Sequence, residues 1–451
     1  MRPSFIVGLD RTLTCLLVAA SLVGVVTCSG ASAAPPPLVA APHGNAESSP
    51  ASPGAPETTS NAGVSPPRAE GVEPPAVADP FGSFRTALNE LRAGQRKEPV
   101  RVLWLGDSHT SADFTTDVVR GALWQRYGVG GPGFVRLGVQ PYRHARVRLE
   151  HGGRWQRRPE QPSRRSLVAD GVFGLCGMRS VPEAGAWASV KLRGSDLAAD
   201  AEVRFTLLYR LPKGAELGVR LGKKSLVLDE TTEGFEPPGS SIRRVLLTGL
   251  AADELRVERR AGAPEVFGVY VEGSEPGVVL DTCGIEGARV ATALAWDESA
   301  WQAEVRARRP DLLVLAFGTN EAFDDGRVER YGPELVELVR RVRAASPQTA
   351  CWIFGPPDAA DREGGTKARV LDVTAVQRRA AEELGCGFVS GLDLMGGEGS
   401  FGSWMSQDPP LARRDRIHLT PPGYERLGTA AVDWLLPAPA PASDAPPAAA
   451  R

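Results

Sequence analysis

Hydrophobic positions along this chain keep two different rhythms. Val100 to Leu105 is a short apolar run that stops at Gly106. Phe114, Val118, Ala122 and Leu123 then share one side of a helical repeat that Gly128 ends. The same alternation resumes much later. Val278-Val279-Leu280 leads into a helical stretch through Trp301, and Leu312 to Phe317 reads as a buried strand. A helix carrying Leu335, Leu338, Val339 and Val342 stops at Ser346-Pro347. Cys351 to Phe354, a helix over Val370 to Leu384, a strand at Gly387-Phe388-Val389 and a last helix after Pro422 complete the series. Apolar strands alternating with helices predict an α/β fold with a parallel sheet covered on both faces.

Between about Gly130 and Gly277 the period drops to two. Val203, Phe205, Leu207 and Tyr209 alternate with polar neighbours, as do Leu217, Val219 and Leu221. Val245 and Leu247, Leu255 and Val257, then Phe267, Val269 and Val271 repeat it between Gly, Pro and Asp clusters. This predicts a β-rich, sandwich-like insertion over 130–276 that splits an α/β domain into 80–129 and 277–436.

The ends change the picture. Arg2 and Arg11, an apolar run from about Leu13 to Val26, and Ala31-Ser32-Ala33 read as a signal peptide over 1–33. The run is shorter than the roughly 20 residues that cross a bilayer. An uncleaved anchor is the other reading. Cys28 as a lipid attachment site is disfavoured, because Thr27 precedes it where a small Gly or Ala is usual. Residues 34–79 and 437–451, rich in Pro and Ala, are expected to be a disordered linker and tail. An exported chain, periplasmic or secreted, follows.

Of six cysteines, Cys15 and Cys28 lie in the signal region. Cys176, Cys283, Cys351 and Cys386 remain as free thiols or disulfides, with pairing and oligomeric state left open. Their spacing does not suit a metal site, and no metal or cofactor is expected. A net charge of −2 gives no general attraction for nucleic acid.

Candidate chemistry gathers where strands end. Gly106-Asp107-Ser108-His109 follows the first strand, which places Ser108 where open parallel sheets bind ligands. A helix-capping serine would look the same. Gly284-Ile285-Glu286-Gly287-Ala288 and Gly318-Thr319-Asn320-Glu321 follow the next two strands. Glycine offers an unobstructed backbone N–H and Asn320 a side-chain amide, two suitable oxyanion donors, although both types also make plain turns. Glu321 working with Asp415 as an acid/base pair is the weaker alternative beside a nucleophilic serine. Asp415-Arg416-Ile417-His418, before Pro421-Pro422-Gly423-Tyr424, supplies a base and a carboxylate to orient it.

Taken in order, Gly106-Asp107-Ser108, Gly287, Gly318-x-Asn320 and Asp415-x-x-His418 resemble the four blocks of the SGNH hydrolases of the GDSL family. The resemblance covers roughly 100–128 and 277–436. It implies a flavodoxin-like three-layer α/β/α sandwich, with Ser108 as nucleophile, His418 as base and Asp415 as its partner. It also implies an oxyanion hole from the Ser108 and Gly287 backbone and the Asn320 side chain; Gly284 lies close enough to Gly287 to compete for that place. Gly-Asp-Ser-His-Thr with a β-rich insert looks like the branch of exported peptidoglycan O-acetylesterases, in which the insert resembles a carbohydrate-binding module. The implied substrate is an O-acylated polysaccharide, peptidoglycan first. An O-acetyltransferase on the same triad and a non-catalytic glycan-binding protein are the alternatives; a lipase is disfavoured because the insert has no long apolar lid. Trp155, Trp187, Tyr209, Phe235 and Tyr270 are candidate sugar-stacking or core residues, and Trp404 a candidate site-lining or core residue.

Overall fold

A computed structural model describes residues 79–138, 142–157, 170–194 and 196–436. The expected signal peptide, the linker up to residue 78 and the tail lie outside the described residues. Strands Val100–Gly106, Val278–Gly284, Leu312–Ala316, Ala350–Gly355 and Gly387–Ser390 form one parallel sheet. The second strand lies outside the first and the other three follow on its far side, the flavodoxin-like order 2-1-3-4-5.

Successive side chains of these strands feed opposite layers, which is why each strand is mostly apolar rather than alternating. Leu103, Leu105, Leu313, Leu315 and Ile353 pack with helices Glu298–Arg308, Tyr331–Ala345 and Ala368–Leu384. Val102, Trp104, Val314, Trp352 and Phe354 pack with helices Gly82–Arg92, Thr115–Tyr127 and Pro421–Leu435. The helix over 82–92 was not anticipated, although Phe84, Ala87, Leu88 and Leu91 make its buried stripe. In helix Thr115–Tyr127 the buried face is rotated from the expected one. Val119, Arg120, Leu123 and Trp124 are buried, while Phe114, Val118 and Ala122 are only partly covered.

The inserted region forms two antiparallel sheets. One contains strands Glu202–Arg210, Arg243–Leu250 and Glu265–Gly273; the other contains Trp187–Leu192, Glu216–Leu221 and Glu254–Ala261. Val203, Phe205, Leu207, Val219, Leu255 and Val257 fill the space between them. The first sheet has a second buried face. Leu208, Phe267 and Tyr270 point away from the sandwich and join the α/β core beside Trp301 and Val305. Phe267 therefore does not share a face with Val269 and Val271. A register shift between Val266 and Gly268 changes the phase, and Gly268 takes φ +127 there. Tyr209 and Tyr270 are core residues, whereas Phe235 is exposed.

Disulfides join Cys176 to Cys283 and Cys351 to Cys386. The first ties the insertion to the second strand of the parallel sheet; the second ties the fourth strand to the residue preceding the fifth. Among the described residues no helix is long and apolar enough to cross a membrane.

Candidate active site

Strand Val100–Gly106 ends against its neighbour so closely that Gly106 has no room for a side chain. A Cβ there would lie 2.2 Å from Thr110 Oγ1 and 2.8 Å from the Ala316 carbonyl. Close approach, rather than an unusual φ, is what glycine provides. The buried Asp107 carboxylate accepts the His109 N–H at 2.9 Å and caps the short helix Ser108–Ser111. Burial pushes the Asp107 carboxyl up to about 7 against the pull of that N–H. Ser108 is left half-buried beyond the first strand, at the switch point of the sheet order.

From the far end of the chain, a loop brings His418 to it. The Ser108 Oγ and His418 Nε2 atoms are 3.0 Å apart across 310 residues of sequence. The His418 Nδ1 atom is 3.0 Å from Asp415 Oδ2, while Asp415 Oδ1 accepts the Ile417 N–H at 3.0 Å and the His418 N–H at 2.8 Å. Arg416 takes φ +66 to direct both amides at the one oxygen. Partial burial raises the Asp415 carboxyl, but the hydrogen bonds from His418 and Ile417 outweigh it and hold the group below its ordinary value.

Gly284 and Gly287 have different surroundings. Gly284 is buried beneath the Ser108–Ser111 turn, where a Cβ would fall 2.3 Å from the Ser111 nitrogen. Gly287 is half-buried at φ +73. Asn320 Nδ2 donates to the Ala288 carbonyl at 2.9 Å, joining the loops after the second and third strands. Among the described residues no hydrogen bond joins Ser108 to Gly287 or Asn320. Glu321 is buried, accepts the Gly318 N–H at 3.1 Å and the Val290 N–H at 3.0 Å, and is pushed by burial to about 7. It clamps the two loops and makes no pair with Asp415. Trp404 is buried and donates its indole N–H to the Met395 carbonyl at 3.0 Å, so it packs in the core.

Sequence reasoning passed over the layer behind His418. The His109 and His418 rings lie 5.2 Å apart, and Tyr424 Oη is 3.0 Å from His109 Nδ1. Both residues stand inside the segments Gly106–His109 and Pro421–Tyr424, yet nothing in spacing alone pairs residues so distant along the chain. No group of His, Cys, Asp and Glu among the described residues is arranged to hold a metal.

A parallel sheet ordered 2-1-3-4-5, its strand ends bearing these loops, is the framework of the GDSL-like lipases and acylhydrolases. Residues 249–426 match the sequence model of that family, and in that span the chain resembles these SGNH/GDSL hydrolases. Among solved structures it resembles a peptidoglycan O-acetylesterase, with 26% identity and a TM-score of 0.65 over 79% of this chain and 95% of that one. An acetylxylan esterase from Geobacillus stearothermophilus matches at 18% identity and a TM-score of 0.28, over 34% of this chain and 71% of that one. A lipase/acylhydrolase from Enterococcus faecalis matches at 18% and 0.28, over 35% and 76%. No curated protein matches the sequence. The family match begins after most of the insertion, so the Ser108 segment lies outside it.

Proposed function

We propose that this chain is an exported serine esterase that removes O-acetyl groups from a cell-wall polysaccharide, with Ser108 as nucleophile, His418 as general base and Asp415 as its orienting partner. The observation that carries the reading is the unbroken line from Ser108 Oγ through His418 to Asp415, each link 3.0 Å long. The likeness to a peptidoglycan O-acetylesterase over most of both chains supports the substrate class.

In this mechanism His418 Nε2 takes the hydroxyl proton as Ser108 Oγ attacks the acetyl carbonyl, and Asp415 stabilises the imidazolium. The tetrahedral oxyanion is met by the Ser108 and Gly287 N–H groups and by the amide hydrogen of Asn320 not given to Ala288. Collapse breaks the ester bond, and the sugar oxygen leaves with the proton from His418. Water then attacks the acetyl-Ser108 carbonyl, gives a proton to His418, and acetate departs as Ser108 recovers its hydrogen. A sugar hydroxyl in place of that water would make the same machinery a transferase.

Ser108→Ala is expected to lower kcat on an aryl acetate by about 10,000-fold or more with the fold retained. Acetate release should be faster from O-acetylated peptidoglycan than from acetylated xylan. Full turnover in the variant would remove Ser108 as nucleophile, and a preference for xylan would overturn the substrate class.

A further inference from the structure

We propose that His109 is a positioning residue: its ring, anchored by a Tyr424 that is itself stacked on Phe114, is the inner wall that holds the His418 imidazole on Ser108. The inference rests on the reading of Ser108, His418 and Asp415 given above.

His418 and Asp415 are the outward side of the site, with side chains 33% and 43% exposed. A hydrogen bond to so exposed a carboxylate fixes one edge of the imidazole and leaves the ring free to swing about that edge. The inner face meets a different kind of support. His109 is half-buried with its Nε2 atom fully covered, and its ring is inclined 34° to that of His418 at 5.2 Å between centroids. Tyr424 Oη, 3.0 Å from His109 Nδ1, restrains the His109 ring from rotating about its Cβ–Cγ bond. The Tyr424 ring in turn lies parallel to Phe114 within 3°, at 5.8 Å. Arg143, from the inserted region, closes the stack. Its guanidinium carbon is 4.0 Å from the Phe114 ring centroid, and it donates to the Ala112 carbonyl at 2.7 Å. Four segments of the chain thus contribute to one wall.

The wall has the right charge as well as the right shape. Burial, and secondly the neighbouring His418, push the His109 imidazole down to about 3, so it is neutral at physiological pH. When His418 takes up the serine proton, the ring beside it carries no charge to repel the new cation. Burial holds the Tyr424 phenol protonated too. His109 Nε2 has no partner within the protein, and the ring lines a cavity of about 20 Å3 with Asp107 and Thr319, large enough for one water molecule. A leucine in place of His109 would fill part of the volume but would have neither the flat face nor the tie to Tyr424.

The test uses the full chain and an aryl acetate. His109→Leu is expected to lower kcat about 10- to 100-fold with KM unchanged, the cost of a loosened base. Tyr424→Phe, which keeps the ring and releases His109, should give a smaller loss of the same kind and carries the test if His109→Leu does not fold. The low-field NMR resonance of the His418–Asp415 proton should broaden in both variants. Full kcat in a folded His109→Leu or in Tyr424→Phe, or a loss confined to KM, would overturn the proposal while leaving Ser108 in place. An active Ser108→Ala would instead overturn the site, and this inference with it.

Discussion

Asp107 shows how one residue's surroundings set a property of the whole protein. In an unfolded chain its carboxyl titrates near 4, roughly the ordinary aspartate value; in the fold it is raised to about 7. Between those values the folded form keeps a proton that the unfolded form has lost. Its contribution to stability is therefore complete below about pH 4, declines as the pH rises, and is gone above about 7. His144, buried and pushed down to about 4, acts in the opposite sense as pH falls from about 6.5. A comparison of variants separates the two. Asp107→Asn stays neutral and can still cap the His109 N–H, so its stability relative to the natural protein should climb between pH 4 and 7 and then level off. Urea unfolding midpoints across that range provide the check, and a difference independent of pH would contradict the raised carboxyl. The motif containing Asp107 is plain in the sequence, but its burial is not. Adjacent polar residues look alike until the third strand covers one of them.

At the scale of the element, helix Thr115–Tyr127 is the instructive case. Its extent was legible from the apolar repeat and Gly128, but the face it buries was not. Arg120 is fully buried in that face, where a charged residue is ordinarily exposed. It pairs with Asp113 at 2.8 Å, and Thr282 Oγ1 donates to the same Asp113 oxygen at 2.8 Å. Asp113 also receives Thr116 Oγ1 at 2.6 Å and the Ala145 N–H at 2.8 Å, so one carboxylate joins the helix, the second strand and the insertion. Arg120→Met would leave that carboxylate buried without its cation, and a loss of about 3–5 kcal/mol is expected in urea unfolding. Replacing Asp113 with Asn as well should return a large part of it. Strand Glu265–Gly273 teaches a similar lesson. Its period of two was visible, but the bulge that sends Phe267 to the opposite face depends on pairing with Glu202–Arg210.

The whole molecule behaves as a parallel sheet and a sandwich that share a core. Charged side chains bridge the seam. Arg308 binds Glu272 of the insertion and Asp281 of the parallel sheet, both at 2.6 Å, and Arg244 of the insertion reaches Glu304 at 2.7 Å. With Leu208, Phe267 and Tyr270 also buried against the α/β side, neither part can leave without exposing the other. The insertion and the sheet should thus unfold as one unit. Hydrogen exchange in rising denaturant is expected to merge 202–210 and 312–316 into a single unfolding free energy. Separate values would show that the sandwich opens alone.

The sequence by itself determined the alternation of strands and helices, the existence of the β-rich insertion, and the short polar segments at the strand ends. These follow from local periodicity and turn chemistry, which neighbouring residues carry. Tertiary structure alone decided the strand order, the disulfide partners, the buried ion pairs and the wall of rings behind His418. Each depends on which distant segments come into contact, and a chain read in order holds no direct record of that. Ser108 and His418 stand at both levels: their residue types and settings could be read, but only folding brings them to 3.0 Å.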